Sequence, residues 1–319
     1  MRILHCSVLI TAALLAGSGR ETFTNWHRLS DQPIITLQGG GWESAGTFNP
    51  AVVVHDGMFV MLYRAQGGNG TSRLGYAESA DGIHFIRHLQ PVLSPETSYE
   101  KDGGVEDPRL AKFGDTYYLT YTGYNKKEAQ LCLATSTDLI HWERKGIILP
   151  AYKGNWNVKW TKSGAIVPQK FGGKYWMYFL GTSRDGTDQT GLAYSTDLIH
   201  WTEVTMQPVL PKRVGKFDSR VVEPGPPPII TRNGILLIYN GADDKLVYRT
   251  GMALFSTHDP RKLLWRTDEP VFWPEEDWEK IGQVPNVVFV EGMVKKHGRY
   301  LLYYGGADKY VGVAEAELR

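Results

Sequence analysis

Only two cysteines occur in 319 residues, so no disulfide framework holds this chain together. One of them, Cys6, sits in an N-terminal stretch that reads as a removable leader, which leaves Cys132 without an intrachain partner. A chain of this length buries enough apolar surface to fold without covalent staples. Net charge is also scarce. The 35 Lys and Arg against 34 Asp and Glu give +1, which argues against a nucleic-acid surface or an acidic tail. No Gly-Lys-Ser phosphate loop is present, and no pair among the nine histidines has zinc-motif spacing. No metal and no cofactor is therefore expected. The apolar run over residues 3–16 falls short of the roughly 20 residues a membrane helix needs, so no membrane span is expected either.

That run follows one arginine and precedes the small residues 17–19, the layout of a secretory signal peptide over residues 1–18. Ser18 stands where a lipid-anchored protein would carry cysteine. The expectation is export to a bacterial periplasm or beyond, with residues 24–319 as a single domain. What the mature chain has in quantity is glycine (35), tyrosine (17) and tryptophan (10), a mixture suited to an all-β protein with many turns and a polar ligand.

A repeat organises it. The segments "LGYAESADGIHF", "LCLATSTDLIHW", "TGLAYSTDLIHW", "TGMALFSTHDPRKLLW" and "VGVAEAELR" align on Ala77, Ala134, Ala193, Ala253 and Ala314, spaced 57, 59, 60 and 61 apart. A second column, Pro50, Pro108, Pro168, Pro228 and Pro285, runs at 58, 60, 60 and 57. Between the columns lies a hairpin signal each time, with Asp-Gly, Gly-Asp, Gly-Gly, Asn-Gly or His-Gly at its turn. Five units of three or four short strands predict a five-bladed β-propeller. The outer strand missing after the last repeat is found at the N-terminus as "WHRLSDQPIITL", so the first strand is expected to close the last blade and remove free edges.

The repeat also sorts the tempting residues. Asp81, Asp138 and Asp197, with His84, His141 and His200, recur in one "S-x-D-x-I-H" turn, which marks them as turn-forming residues. Chemistry belongs where the blades differ, at the strand entrances that converge on a central channel. There the chain offers Asn49 and Arg64, then Glu106, Asp107 and Arg109, then Lys162 beside Trp156 and Trp160, then Glu223, then Glu291 and Asp308. Tyr239 is the aromatic assigned to substrate. Carboxylates with amide, guanidinium and aromatic neighbours describe a sugar site. Paired acids there fit glycosidic cleavage, and a structural ion-pair network of Glu106, Asp107 and Arg109 is the alternative.

"FNPAVV", "LYRA", "GGVEDPRL", "YYLTYTGY", "EPGPPPI", "PNVVF" and "YYGGADKYVGVA", in this order, resemble glycoside hydrolase family 130 over residues 49–314. The resemblance implies a five-bladed propeller acting on β-mannosides by an inverting mechanism. It implies Asp107 as general acid, and Asn49, Arg64 and Asp308 as holders of the mannose, with Lys162 approaching the same pocket. Members act by phosphorolysis or by hydrolysis. An attacking phosphate needs a cationic cluster, whereas water needs a carboxylate base. Because Glu223 and Glu291 place acid where the resemblance leads one to expect none in phosphorylases, the expectation is an exo-acting β-mannosidase, directed at β-1,2 links. Glu223 is preferred as base over Glu291. A mannoside phosphorylase releasing mannose 1-phosphate is the alternative, and a non-catalytic mannoside-binding propeller the third reading.

Overall fold

The structure is a computed structural model that describes residues 19–151, 156–204 and 206–319. The leader expected over residues 1–18 lies outside the described residues. Hairpin turns build the rest. Gly57, Gly173 and Gly298 all take positive φ at two-residue turns, paired with Asp56, Gly172 and His297, also at positive φ. That is the combination whose twist matches the flanking strands. In the fourth unit the turn falls on Arg232 and Asn233, one residue earlier than the Asn-Gly pair predicts.

Five antiparallel units result. Unit one runs Gly46–His55, Met58–Gln66, Ser72–Ser79 and Ile86–Arg87. Unit two runs Gly104–Phe113, Thr116–Tyr124, Ala129–Ser136 and Glu143–Leu149. Unit three runs Asn157–Ile166, Tyr175–Ser183, Asp188–Ser195 and Thr202–Glu203. Unit four opens with a strand in two pieces, Val221–Pro224 and Ile229–Thr231, and continues through Gly234–Ala242, Tyr248–Phe255 and Leu263–Arg266. Unit five runs Val288–Lys296, Arg299–Gly306 and Tyr310–Leu318, and its outer strand is the N-terminal Phe23–Arg28, paired with Tyr310–Leu318. The chain ends are thus joined in one sheet, as the sequence predicted.

The five hydrophobic clusters lie between units. Leu62 and Leu119 bridge units one and two, Leu133 and Phe179 units two and three, and Tyr178 and Leu237 units three and four. Leu254 and Leu302 bridge units four and five, and Tyr303 with Phe59 returns from five to one. Cys132 is buried in the first of these, and burial pushes its thiol up to about 12, so it packs as an apolar residue.

A second repeat, invisible as a motif, fixes four of the five units internally. Tyr63, Tyr121, Tyr239 and Tyr304 donate from the second strand to Glu43, Glu100, Asp218 and Glu279 at 2.6, 2.8, 2.8 and 2.9 Å. The outer strand adds Arg87, Arg144, Arg266 and Arg28 to the same four carboxylates. Unit three breaks the pattern: Phe179 replaces the tyrosine, and Glu203 takes the arginine position opposite its alanine, Ala193. The three S-x-D-x-I-H turns are alike, each Asp accepting two backbone N–H groups and pairing its His Nδ1 at 2.7 Å.

Candidate active site

The first strand of a unit does not run straight. Pairing slips between Phe48 and Pro50, between Glu106 and Arg109, between Lys162 and Ala165, and between Val290 and Gly292. Three of these bulges place Asn49, Asp107 and Ser163 in the left-handed region, at φ 48°, 51° and 55°. Such a conformation is uncommon for residues with a Cβ and re-aims the side chain. In unit four the strand breaks outright after Pro224. Partner residues in the second strand make Phe48, Glu106, Lys162, Glu223 and Phe289 one column, and Asn49, Asp107, Ser163, Pro224 and Val290 the next, so the unit-five slip at Glu291 comes one residue later than the others. The proline column read from sequence is therefore not a structural one. Pro50 and Pro108 follow bulged residues, but Pro168 lies beyond its strand and Pro285 ahead of its own.

These first strands converge on one small pocket of about 130 Å³, lined by Asn49, Arg64, Asp107, Lys162, Glu223, Tyr248, Val284, Val287, Phe289 and Asp308. Asp107 Oδ1 accepts from Asn49 Nδ2 at 2.8 Å and from Arg64 Nη1 at 2.9 Å. Burial alone would raise this carboxyl, but Arg64, Lys162 and the Asn49 amide outweigh it and hold it at about 2. Asp107 is thus held as an anion among these donors. Burial lifts Glu223 to about 7 against the pull of Lys162, Arg109 and the Ser163 hydroxyl that donates to it. Burial likewise lifts Asp308 to about 6, with Arg64 opposing. Lys162 forms no ion pair within 4 Å among the described residues, and its neighbouring acids keep it charged despite burial. Asn49 Oδ1 is a buried acceptor with no donor.

Asn49, Arg64, Asp107, Lys162, Glu223 and Asp308 thus share one pocket, and four predicted residues do not line it. Glu106 lies behind Arg64, accepting from its Nη2 at 2.6 Å and from Ser72. Arg109 is buried under the pocket floor on backbone carbonyls. Glu291 is a correction: its bulge turns it toward a different cavity beside Gly292 and Lys295, and its carboxylate faces Arg109 at 3.5 Å with no hydrogen bond. Tyr239 is another, because its hydroxyl is consumed by Asp218 in the repeated tyrosine–acid–arginine network. Tyr248 and Phe289 supply the aromatic lining in their place. Phe289 stood in the "PNVVF" motif, whereas nothing in the sequence around Tyr248 singles it out.

Fold and pocket together define an all-β repeat protein whose carboxylate, guanidinium, ammonium and aromatic groups converge as in a carbohydrate-active enzyme. The chain belongs to glycoside hydrolase family 130: the family model described as beta-1,4-mannooligosaccharide phosphorylase matches residues 35–319. It is 41% identical over 303 residues to a 1,2-beta-oligomannan phosphorylase of Thermoanaerobacter sp. (strain X514), covering 92% of this chain and 97% of that protein. A beta-1,2-mannobiose phosphorylase of the same organism is 36% identical, with 91% and 96% covered. A solved structure superposes with a TM-score of 0.84 at 37% identity over 92% of this chain and 94% of the other. That neighbour comes from a family of mannoside phosphorylases that contains glycoside hydrolases that target beta-1,2 mannosidic linkages in Candida mannan.

Proposed function

We propose that this protein is a five-bladed β-propeller enzyme that cleaves a terminal β-mannoside, β-1,2-linked, by inverting phosphorolysis, releasing mannose 1-phosphate. Phosphate is preferred to water on one observation. Of the two glutamates that argued for a hydrolase, Glu291 does not line the pocket, and burial brings Glu223 to about 7. At neutral pH the pocket therefore offers an incoming anion an acid that is half protonated, beside the ammonium of Lys162. The near full-length similarity to two phosphorylases supports the same reading.

Asn49 and Arg64 donate to sugar hydroxyls, and the unpartnered Asn49 Oδ1 accepts from one. Tyr248 and Phe289 give the ring an apolar face. Asp107 serves as acid only when it carries a proton. In this reading it gains one as the sugar arrives, because hydroxyls compete for the Arg64 and Asn49 donors that hold the carboxyl down and the last water leaves. Inversion follows from attack on the face opposite the protonated oxygen. The small pocket favours one terminal sugar unit, hence exo action.

Hydrolysis is the second reading, supported by Glu223 itself: a carboxylate in the pocket that accepts from Ser163 is placed to activate water. The test is incubation with β-1,2- and β-1,4-mannobiose, with and without inorganic phosphate. Phosphate-dependent loss of substrate with mannose 1-phosphate as product supports phosphorolysis. Phosphate-independent release of mannose supports hydrolysis, and saturable binding without turnover overturns both. Export through residues 1–18, with 24–319 as the mature domain, is part of the proposal and is checked by the N-terminus of the protein recovered from cells.

A further inference from the structure

Arg109 was expected to touch substrate. Instead it is 1% exposed and spends its guanidinium on the backbone of two units. Its Nη1 donates to the Asp107 carbonyl at 3.2 Å, within the unit-two bulge. Its Nη2 donates to the Pro224 carbonyl at 2.7 Å and its Nε to the Gly225 carbonyl at 2.9 Å, across the molecule in unit four. Pro224 directly follows Glu223 and ends its strand. The close approach needs a glycine next: a Cβ on Gly225 would lie 2.8 Å from the Val290 carbonyl oxygen and 2.9 Å from that of Ile238. Glu291, fully buried at 3.5 Å from Nη1, is the acid beside this guanidinium, and burial raises its carboxyl well above the ordinary value with Arg109 opposing.

We propose that Arg109 is a positioning residue: one buried fork, flanked by Glu291, locks the backbone behind Asp107 to the backbone behind Glu223 and so sets the separation of the two pocket carboxyl groups. This rests on the proposed function for its kinetic consequence but not for its structural one. In the proposed phosphorolysis Asp107 is the acid and Glu223 flanks the incoming phosphate, so their spacing sets acid and attacking group on opposite faces of the sugar. A displacement of about 1 Å in such a site costs on the order of 10²-fold in rate. Lysine in place of Arg109 keeps the charge but cannot reach carbonyls of both units in fork geometry. Glu291 then has no chemical step of its own, which explains how a buried acid outside the pocket comes to be built into the ring of first strands.

The test compares wild type with Arg109→Lys, Glu291→Gln and the double variant Arg109→Met/Glu291→Leu. The double variant removes both buried polar partners together, which keeps the fold accessible if a single variant does not fold. Arg109→Lys should lower kcat on β-1,2-mannobiose by about 10²-fold while KM for sugar and for phosphate moves less than about threefold. Glu291→Gln should lose less than about tenfold and keep the wild-type pH profile, since the fork remains; a loss above 10³-fold would make Glu291 a chemical participant and overturn its assignment as a neighbour of the fork. The double variant should fold, with kcat as low as in Arg109→Lys. Wild-type kcat in either Arg109 variant overturns the proposal. So does a loss confined to KM. If wild type turns over no β-mannoside, the functional reading fails, and a crystal structure of Arg109→Lys still decides: Asp107 and Glu223 must separate or shift relative to wild type, and unchanged positions overturn the proposal.

Discussion

If the incoming group is phosphate, its affinity must depend on whether Glu223 carries a proton, and the sign of that dependence separates the two readings of this pocket. Burial raises the Glu223 carboxyl from 4.5 to about 7, so it ionises across the neutral range. A phosphate charge at ~5 Å from the ionised carboxylate, at an effective dielectric constant of ~20, meets about 3 kcal/mol of repulsion per unit charge. That is more than about 100-fold in affinity, so the ionised form is close to non-binding. The apparent KM for phosphate should therefore rise by nearly tenfold per pH unit above 7 in wild type. Phosphate titrates in the same range, so Glu223→Gln in identical buffers is the reference; there KM should follow phosphate ionisation alone, with phosphorolysis retained. The assay is initial-rate phosphorolysis of β-1,2-mannobiose from pH 5.5 to 8.5, read as mannose 1-phosphate. Equal pH slopes in the two proteins would refute the argument. Loss of all turnover in Glu223→Gln, with wild-type rate climbing to a plateau above pH 7, would instead make Glu223 the base for water.

Burial raises Glu203, the acid at the broken position of unit three, to about 7 as well. A raised acid favours the folded state below the unfolded value of about 4.5, and this contribution disappears as pH rises through about 7, so Glu203→Gln should gain about 1–3 kcal/mol in urea unfolding at pH 8 and nothing at pH 4. Glu100 is fully buried between Tyr121, Arg144 and the backbone N–H groups of Glu96 and Thr97. Glu100→Gln should cost about 3 kcal/mol and several degrees of Tm by calorimetry, with no change in KM. Asn49→Ala removes one donor from Asp107 and the empty acceptor from the pocket, and should lower kcat/KM by about 10–100-fold while mannose binding, followed by calorimetry, weakens in step.

The units, their hairpins and the joining of the two chain ends were legible because each is written in local chemistry. Alternating apolar residues and Gly-containing turns leave a period that one chain can reveal by itself. The site was legible only to the extent that side-chain type sufficed. Asn49, Arg64, Asp107, Lys162, Glu223 and Asp308 share the pocket, but a glutamate in "VFVEG" looks the same whether its bulge turns it to the pocket or away. Facing is set by strand register, and register is a pairing between segments that no single strand records. Tyr239 was misread for a related reason. Its partners Asp218 and Arg266 lie 21 and 27 residues away, so its hydroxyl looked available when it was committed to the frame of its own unit.

The adjacent acids of "VEDPR" show why this architecture suits the chemistry. In a regular strand consecutive side chains point to opposite faces, so Glu106 and Asp107 could not serve one cluster. The bulge between Glu106 and Arg109 suspends that alternation. Both carboxylates then meet the single guanidinium of Arg64, Glu106 from behind and Asp107 from within the pocket. Lys162 and Ser163 repeat the device in unit three, where the lysine lines the pocket and the serine hydroxyl holds Glu223. One irregularity, recurring at the same point of the first strand in units one, two and three, thus frees the residues after Phe48, Glu106 and Lys162 from strict alternation beside one shared pocket. The rest of the strand remains regular enough to pack against the adjoining unit. Changing what such a site presents requires new side chains at these two columns, not a new backbone.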